Sequence, residues 1–321
     1  MRRRWRRCGI ATLAAAAILT GSDTTAGVIH ANHGEAQALR FGNARAFQSV
    51  GQFIARGDDA RAWAGSGVYI GDRWVLTAAH VAEGAAAMQF TINGQRRTAE
   101  ATYLHPFWAG SSLLDGFDLA LVRLNEDLPT ITAATRMTSG RESGRLAGSV
   151  GYGRTGDPVN GYDPGSTLEK RGGRNTVDGL RHRRLLLMDF DSGATADNAL
   201  GQAAPRRLEY LIAPGDSGGG LFVFYQRQWL LAGIHSFAWG VLDGNANADY
   251  GDVSGHTRIR FHNRWIDRVL ESFDTVSVAS GQTREVGLFT VRGLNASVVP
   301  EPAAALAVLF GAATLRRRRP A

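Results

Sequence analysis

From about residue 45 to residue 262, the chain consists of short apolar runs separated by glycine, asparagine and aspartate. The segment GVYIGDRWVLTAAH predicts a hairpin with two apolar arms and a turn at Gly71-Asp72. Further runs of strand-like composition are FDLALVRL, AGSVGYG, LEYLIA, GGLFVFY and WLLAGIHSF. The sequence shows no repeat of fixed period and no long helical periodicity before residue 262. Many short strands with glycine-rich turns predict an all-β architecture, either a sandwich or barrels.

One amphipathic helix is predicted after the last strand. In HNRWIDRVLESF, the apolar residues recur at helical spacing and form one stripe: Trp265, Ile266, Val269, Leu270 and Phe273. Residues 273–299 are then an extension, which we interpret either as a spacer or as an extra pair of strands.

The charge of the chain is concentrated at its two ends. The 36 basic and 29 acidic residues give a pI near 10.1, a value typical of nucleic-acid-binding proteins. However, nine arginines and two acidic residues lie within residues 1–26 and 300–321, which leaves 27 of each sign between them. Because the body is neutral, its electrostatics do not favour a nucleic-acid partner.

Residues 1–26 have the pattern of a secretory signal peptide. A head with five arginines precedes the apolar run IATLAAAAIL and the small polar exit SDTTAG. We expect signal peptidase to cut after Ala26; the alternative is a buried N-terminal helix, which the flanking charges disfavour. The single cysteine, Cys8, lies inside this leader, so the predicted mature chain has no internal disulfide and depends on its core for stability.

The last 22 residues, PEPAAALAVLFGAATLRRRRPA, form a second candidate targeting signal. The 13 apolar residues 303–315 would reach about 20 Å as a helix, which is short of the ~30 Å hydrocarbon core. The order Pro-Glu-Pro, apolar helix and four arginines over residues 300–321 resembles the PEP-CTERM sorting signal of Gram-negative bacteria. The resemblance implies export, transient association with the inner membrane, processing by an exosortase, and release to the periplasm, cell surface or extracellular matrix. The alternative is an ordinary tail anchor.

Candidate chemistry centres on Ser217 in the segment APGDSGGG. A serine hydroxyl is a weak nucleophile unless a base takes its proton and an acid orients that base. His80 is predicted at the end of the strand WVLTAAHV, and Asp118 is predicted to open the strand DLALVRL. A carboxylate just before an apolar run is costly to bury without a partner. We therefore expect His80, Asp118 and Ser217 to meet.

The segments LTAAH, DLAL and GDSGG, in this order, resemble the motifs of chymotrypsin-like (trypsin-family) serine proteases across about residues 45–272. The resemblance implies two antiparallel six-stranded β-barrels, at about 45–135 and 140–262, with a C-terminal helix. A catalytic triad would lie in the cleft between the barrels.

Roles follow from the same resemblance. Ser217 would be the nucleophile of an acyl-enzyme reaction on a polypeptide, His80 the general base, and Asp118 the group that orients the imidazole. The backbone N–H groups of Gly215 and Ser217 would form the oxyanion hole, and Ser236 would support the aspartate. No cofactor is implied.

The chain departs from the family pattern at its activation site. In the family, a freed N-terminal Ile or Val pairs with the aspartate before the serine, which is Asp216 here. No activation junction is present, and GVIHAN at residues 27–32 resembles the usual terminus only in part. The partner of Asp216 is therefore an open question. The family's disulfide near the histidine is also absent, since Val81 follows His80.

Four residues match the family's specificity pocket: Leu211, Ile212, His235 and Ala238. Leu211 stands where trypsin itself carries the aspartate that selects Arg and Lys, so cleavage after basic residues is not expected. His235 resembles the histidine that glutamyl endopeptidases use to bind an acidic side chain. Because the other three residues are apolar, a small or apolar preference is expected ahead of an acidic one.

Two polar loops and one long segment complete the predictions. Residues 189–198 and 243–252 begin like Ca²⁺-binding loops but lack required ligands, so we interpret both as surface loops and predict no metal. Residues 154–206 are interpreted as an insertion, and no role for it is predicted.

The competing function is that of a non-enzymatic surface or extracellular-matrix protein that uses the protease fold as a binding scaffold. The presence of all three triad residues favours the serine-type hydrolase.

Overall fold

The computed structural model describes residues 27–109 and 111–279, the last seven of them as backbone only. The predicted signal peptide, the predicted sorting tail, residues 280–299 of the extension and the side chain of Phe273 lie outside this part. The described residues are mostly β-structure with three α-helices, α1 (Glu35–Gly42), α2 (Ala79–Ala82) and α3 (Ile259–Ala279). Single turns of 3₁₀ helix lie at Arg45–Phe47, Leu113–Asp115 and Thr195–Asp197.

The strands, in chain order, are β1 (Val28–Ile29), β2 (Val50–Arg56), β3 (Ala62–Gly71), β4 (Trp74–Thr77), β5 (Ala87–Ile92), β6 (Gln95–Leu104), β7 (Ala120–Leu124), β8 (Leu146–Gly151), β9 (Thr155–Asp157), β10 (Gly161–Asp163), β11 (Arg171–Thr176), β12 (Gly179–Arg181), β13 (Leu185–Asp189), β14 (Tyr210–Leu211), β15 (Gly220–Tyr225), β16 (Gln228–Trp239) and β17 (Val253–Arg258).

The first half closes into a six-stranded antiparallel barrel with the strand order β2-β3-β4-β7-β6-β5. Closure joins β2 to β5, and Phe53 lies directly opposite Phe90 across this seam. Both rings are fully buried, and their centroids are 4.8 Å apart. Aromatic pairs at this separation add to the stabilisation that comes from burying their area. The predicted first barrel is therefore confirmed.

The predicted hairpin is present, but its turn lies one residue further along the chain. Gly71 still pairs with Trp74, and Asp72 and Arg73 form the turn with φ of 49° and 69°. Two successive left-handed residues are the geometry of the tight hairpin turns that match strand twist. The amide of Arg73 donates to Asp127, which helps to hold this turn in place.

The second half forms a seven-stranded antiparallel sheet with the order β11-β8-β15-β16-β17-β13-β12. Strands β11 and β12 are its two edges, so closure of this half into a second six-stranded barrel stays a prediction. Strands β11, β12 and β13 belong to residues 154–206, so this segment is not a single insertion. Strand β11 pairs with β8 and β13 pairs with β17, so both are part of the framework.

An aromatic cluster and α3 join the two halves. The ring of Phe47 lies 5.2 Å from that of Phe222 and 5.3 Å from that of Trp229. In α3, Ile266 is fully buried against the same core. The other members of the predicted stripe with described side chains, Trp265, Val269 and Leu270, are half-buried beside it.

Helix α3 continues to Ala279, so the first seven residues of the predicted extension are helical and do not form a strand. Over the described residues, no helix combines the length and apolarity needed to cross a membrane.

Candidate active site

His80 and Asp118 meet where two paired strands share an edge. Strands β4 and β7 are antiparallel neighbours with Thr77 opposite Ala120, so the end of one lies beside the start of the other. His80 Nδ1 lies 2.8 Å from Asp118 Oδ2, and the His80 amide donates to Asp118 Oδ1 at 3.0 Å. Neither residue is inside a strand as predicted. His80 lies in α2, and β7 begins two residues after Asp118.

The carboxylate of Asp118 is fully buried and is held by donors from both halves of the fold. Besides His80, the Ser236 hydroxyl donates to Oδ2 at 2.5 Å. Thr257 Oγ1 donates to the backbone carbonyl of Asp118 at 2.8 Å. The bonds from His80 and Ser236 orient the carboxylate, and the bond from Thr257 holds the backbone beneath it. Ser236 was singled out from the sequence, whereas Thr257 was not, because no local pattern marks it.

The imidazole of His80 is arranged as a base. Burial lowers its pKa, but the charge and hydrogen bond of Asp118, with the charge of Glu83, outweigh burial and raise the pKa above its usual 6.5. An ionised carboxylate only accepts hydrogen bonds, so in the neutral ring the proton lies on Nδ1 and Nε2 is free to accept one. A quarter of the His80 side chain is exposed, which leaves the ring accessible to a substrate.

The loop that carries Ser217 connects β14 to β15 and packs against the strands that lead to His80. The Ser66 amide donates to the Ser217 carbonyl at 2.7 Å, and the Gly218 amide donates to the His235 carbonyl at 2.9 Å. Gly218 has a φ of +84°, and a Cβ there would lie 2.2 Å from both Ser66 O and Thr77 Oγ1. Only glycine allows the backbone to come this close to Ser66 and Thr77. This contact places the serine loop at the edge where β4 leads into α2.

Two amides of this loop are free to bind an anion. The amides of Asp216, Gly218 and Gly219 all donate within the protein. In the described part of the chain, those of Gly215 and Ser217 have no acceptor. Buried or half-buried amides are nearly always paired, so two free N–H groups next to a serine are a candidate oxyanion site. These are the two donors predicted from the sequence.

Asp216 is stabilised by three hydrogen-bond donors. Its Oδ1 accepts from the Gly153 amide at 2.8 Å, and its Oδ2 accepts from the Ala213 amide and the Tyr210 hydroxyl, each at 3.0 Å. Burial raises the pKa of this carboxyl to about 6, although the hydrogen bonds and the charge of Arg171 lower it. The open question about Asp216 thus has an answer that involves no chain terminus.

Comparison with known proteins agrees with this geometry. The model of a family described as "Trypsin" matches residues 41–266, more than two thirds of the chain. The chain is a member of the trypsin family. A solved structure titled "HL collagenase structure at 1.7A resolution" is similar with a TM-score of 0.53 and 18% identity, covering 70% of this chain and 94% of the collagenase. At this identity the likeness shows the fold alone. No curated protein matches the chain.

Three of the predicted specificity residues of this trypsin-family chain are apolar. Leu211 is fully buried and pairs in register with Val28 of β1, while Ile212 is buried in the neighbouring cluster with Ile29. Ala238 lies on β16 and is half-buried. This set offers no charged partner for a substrate side chain.

His235 is buried in surroundings that disfavour the charged ring. Its Nδ1 lies 2.8 Å from Nδ1 of His256, whose Nε2 lies 3.0 Å from Ser254 Oγ. Burial, and secondarily the neighbouring His256, lowers the pKa of His235 well below 6.5. A neutral ring does not supply the positive charge that an acidic substrate side chain requires. His256 was not predicted, because the pair forms only when β16 and β17 align.

The two loops considered for Ca²⁺ differ from expectation in one respect. The sequence predicts a surface loop at each, yet Asp189, Asp191 and Asp252 are buried. The reason is that the first loop starts inside β13 and the second ends at β17, in the middle of the sheet. Within the residues that the structure describes, no three His, Cys, Asp or Glu side chains are arranged to hold a metal ion.

Proposed function

We propose that this trypsin-family chain is an exported serine endopeptidase that hydrolyses peptide bonds through an acyl-enzyme intermediate. The observation that carries the proposal is the Asp118 carboxylate, which binds His80 through Nδ1 while Ser236 holds the same oxygen. This arrangement leaves Nε2 of His80 as the basic atom, as acyl transfer by a serine requires.

In the proposed reaction, the Ser217 oxygen attacks the peptide carbonyl as its proton passes to His80 Nε2. The resulting imidazolium is stabilised by Asp118. The amides of Gly215 and Ser217 bind the oxyanion, and losing one such donor typically costs ~10²–10³ in rate. His80 then protonates the leaving amine, and water hydrolyses the acyl-enzyme by the same path. This chemistry requires no cofactor.

We propose an apolar or small residue on the acyl side of the cleaved bond. Leu211, Ile212 and Ala238 support this preference because they are apolar, and the neutral state of His235 weighs against an acidic side chain.

Export rests on sequence features alone. The leader at residues 1–26 suits signal peptidase, and the tail at residues 300–321 suits an exosortase after transient association with the inner membrane. The resulting location would be the periplasm, cell surface or extracellular matrix of a Gram-negative bacterium.

The proposal is tested with a fluorophosphonate probe, which forms a covalent adduct with activated serines. We expect the full-length protein and Ser272→Ala, a change at an exposed serine of α3, to be labelled, and Ser217→Ala to stay unlabelled. Cleavage of a peptide library then reports the specificity. A folded wild-type protein that resists the probe at neutral and alkaline pH would contradict the peptidase assignment and favour the binding scaffold.

A further inference from the structure

Asp216 lies between the two amides that the proposed reaction uses, those of Gly215 and Ser217. A buried carboxylate must be satisfied by hydrogen bonds or a cation, or its segment moves. Two of its three donors are backbone amides. Among the described residues, Tyr210 is the one side chain that donates to it.

The charged groups around Asp216 do not replace this phenol. The charge of Arg171 lowers the pKa of the Asp216 carboxyl, but its guanidinium is bound to Glu35, with Nη2 2.6 Å from Oε1. The backbone of two glycines lies close to the carboxylate. A Cβ at Gly151 or Gly153 would lie 2.3 Å from an Asp216 carboxyl oxygen. The phenol is therefore the side chain that donates to a carboxylate otherwise in close contact with glycine backbone.

The phenol itself is fixed by the N-terminal segment. Strand β1 pairs with β14, which sets Ile29 opposite Tyr210. Gly27 passes directly over the ring, since a Cβ there would lie 2.0 Å from the Tyr210 oxygen. The Gly27 amide donates to the Arg154 carbonyl at 2.5 Å. The N-terminal segment thus pairs with β14 and covers the phenol of Tyr210.

We propose that Tyr210 is a positioning residue that takes the part of an N-terminal ammonium: its hydroxyl holds Asp216, and thereby the amides of Gly215 and Ser217, so that the peptidase needs no free α-amino group. This inference rests on the proposed function. The role of β1 is to keep the phenol in place, whether or not the chain continues before Gly27.

The sequence permits a direct test of the α-amino group. Lys170 is the only lysine in the chain, so amine acetylation has two targets at most. Its Nζ donates to the Phe47 carbonyl at 2.9 Å. In the full-chain Lys170→Arg variant, only the terminus can react. We expect acetylated protein, with modification verified by peptide mass mapping, to keep its activity within about twofold.

The second arm is Tyr210→Phe, which removes the hydroxyl and keeps the ring. Losing a hydrogen bond to a charged acceptor should lower kcat about 10- to 100-fold with little change in KM. Because the Asp216 carboxyl is then harder to ionise, the acidic limb of the pH–rate profile should move up by about one pH unit, and activity should recover toward alkaline pH. A loss of packing alone would lower activity equally at every pH.

The outcomes separate this inference from the peptidase assignment. An unmodified wild-type protein that the fluorophosphonate probe fails to label contradicts the assignment itself. If that protein is labelled but acetylation abolishes activity, or Tyr210→Phe keeps the wild-type rate and pH profile, the peptidase stands and the role of Tyr210 is wrong. If Lys170→Arg folds poorly, the wild-type protein is acetylated instead, and peptide mass mapping gives the fraction modified at each amine. Its remaining activity then tests the same expectation.

Discussion

We expect the buried glutamate Glu209 to lower the stability of the fold at alkaline pH. It is fully buried beside β14, and its Oε2 accepts from the Arg206 amide. Its Oε1 has no donor among the described residues. Burial raises the pKa of Glu209 from 4.5 to about 9, with further increases from three nearby aspartates, Asp191, Asp178 and Asp189. We predict that Glu209→Gln, which mimics the protonated acid, stabilises the protein at alkaline pH.

The sign and size follow from proton linkage. Because the folded pKa of Glu209 lies above its unfolded value, its contribution to stability is complete below pH 4.5 and is lost as the pH rises toward 9. At pH 8 the loss is about 5 kcal/mol, since each pH unit corresponds to about 1.4 kcal/mol. The neighbouring carboxyls reduce this loss of stability because they bind protons themselves. We expect a net gain of about 2–4 kcal/mol for the variant, or roughly 5–15 °C in Tm.

Thermal unfolding followed by circular dichroism at pH 5 and pH 8 checks this prediction. The variant should match the wild-type Tm at pH 5 and exceed it at pH 8. Glu126→Gln, at a side chain that is 68% exposed, serves as the control and should change neither value. An equal effect of Glu209→Gln at both pH values would refute the reasoning, because it would show that packing rather than proton binding is responsible.

Three further predictions concern the site and its support. Asp118→Asn should lower kcat by about 10⁴, measured with a peptide substrate, because the amide favours the wrong imidazole tautomer. Gly218→Ala should destabilise by more than ~3 kcal/mol in urea unfolding, since its Cβ has no space, whereas Gly84→Ala, also left-handed but open to solvent, should cost only about 1 kcal/mol. Arg258→Met or Glu142→Gln alone should lower the free energy of unfolding by about 3–5 kcal/mol, because each breaks the buried bidentate ion pair of these two residues. In the same assay, the double variant should recover part of that free energy.

The parts of the site that lie beside apolar strands could be predicted from the sequence. The runs WVLT and ALVRL correspond to β4 and β7, and the pairing of these two strands is what brings His80 to Asp118. The apolar stripe of α3 was equally visible because helical periodicity is a local property.

Strand β11 could not be predicted, because its sequence RGGRNT has no apolar alternation. Its glycines serve close backbone contact, since a Cβ at Gly172 would lie 2.3 Å from the Ser149 carbonyl. Its first residue, Arg171, is almost completely buried and is paired with Glu35 on α1. A strand built on glycine and a buried ion pair has no signal in a hydrophobicity pattern.

The hydrogen bond from Tyr210 to Asp216 was missed for a different reason. It depends on the register of β1 with β14, each only two residues long. Such short pairings are set by tertiary packing around them rather than by local propensity. The pairing of His235 with His256 across β16 and β17 depends on register in the same way.

The way Asp118 is held has a consequence for the nascent protein. Its carboxylate starts in the barrel, yet one donor to it comes from β16 and the clamp on its carbonyl comes from β17, near the end of the folded sequence. A chain that has folded only its first half therefore carries His80 with a loosely held carboxylate and no serine loop. Under the proposed function, hydrolysis requires both halves of the fold, so we expect an incompletely folded copy to be inactive toward its neighbours. The rate at which activity appears during refolding would then report completion of the whole fold.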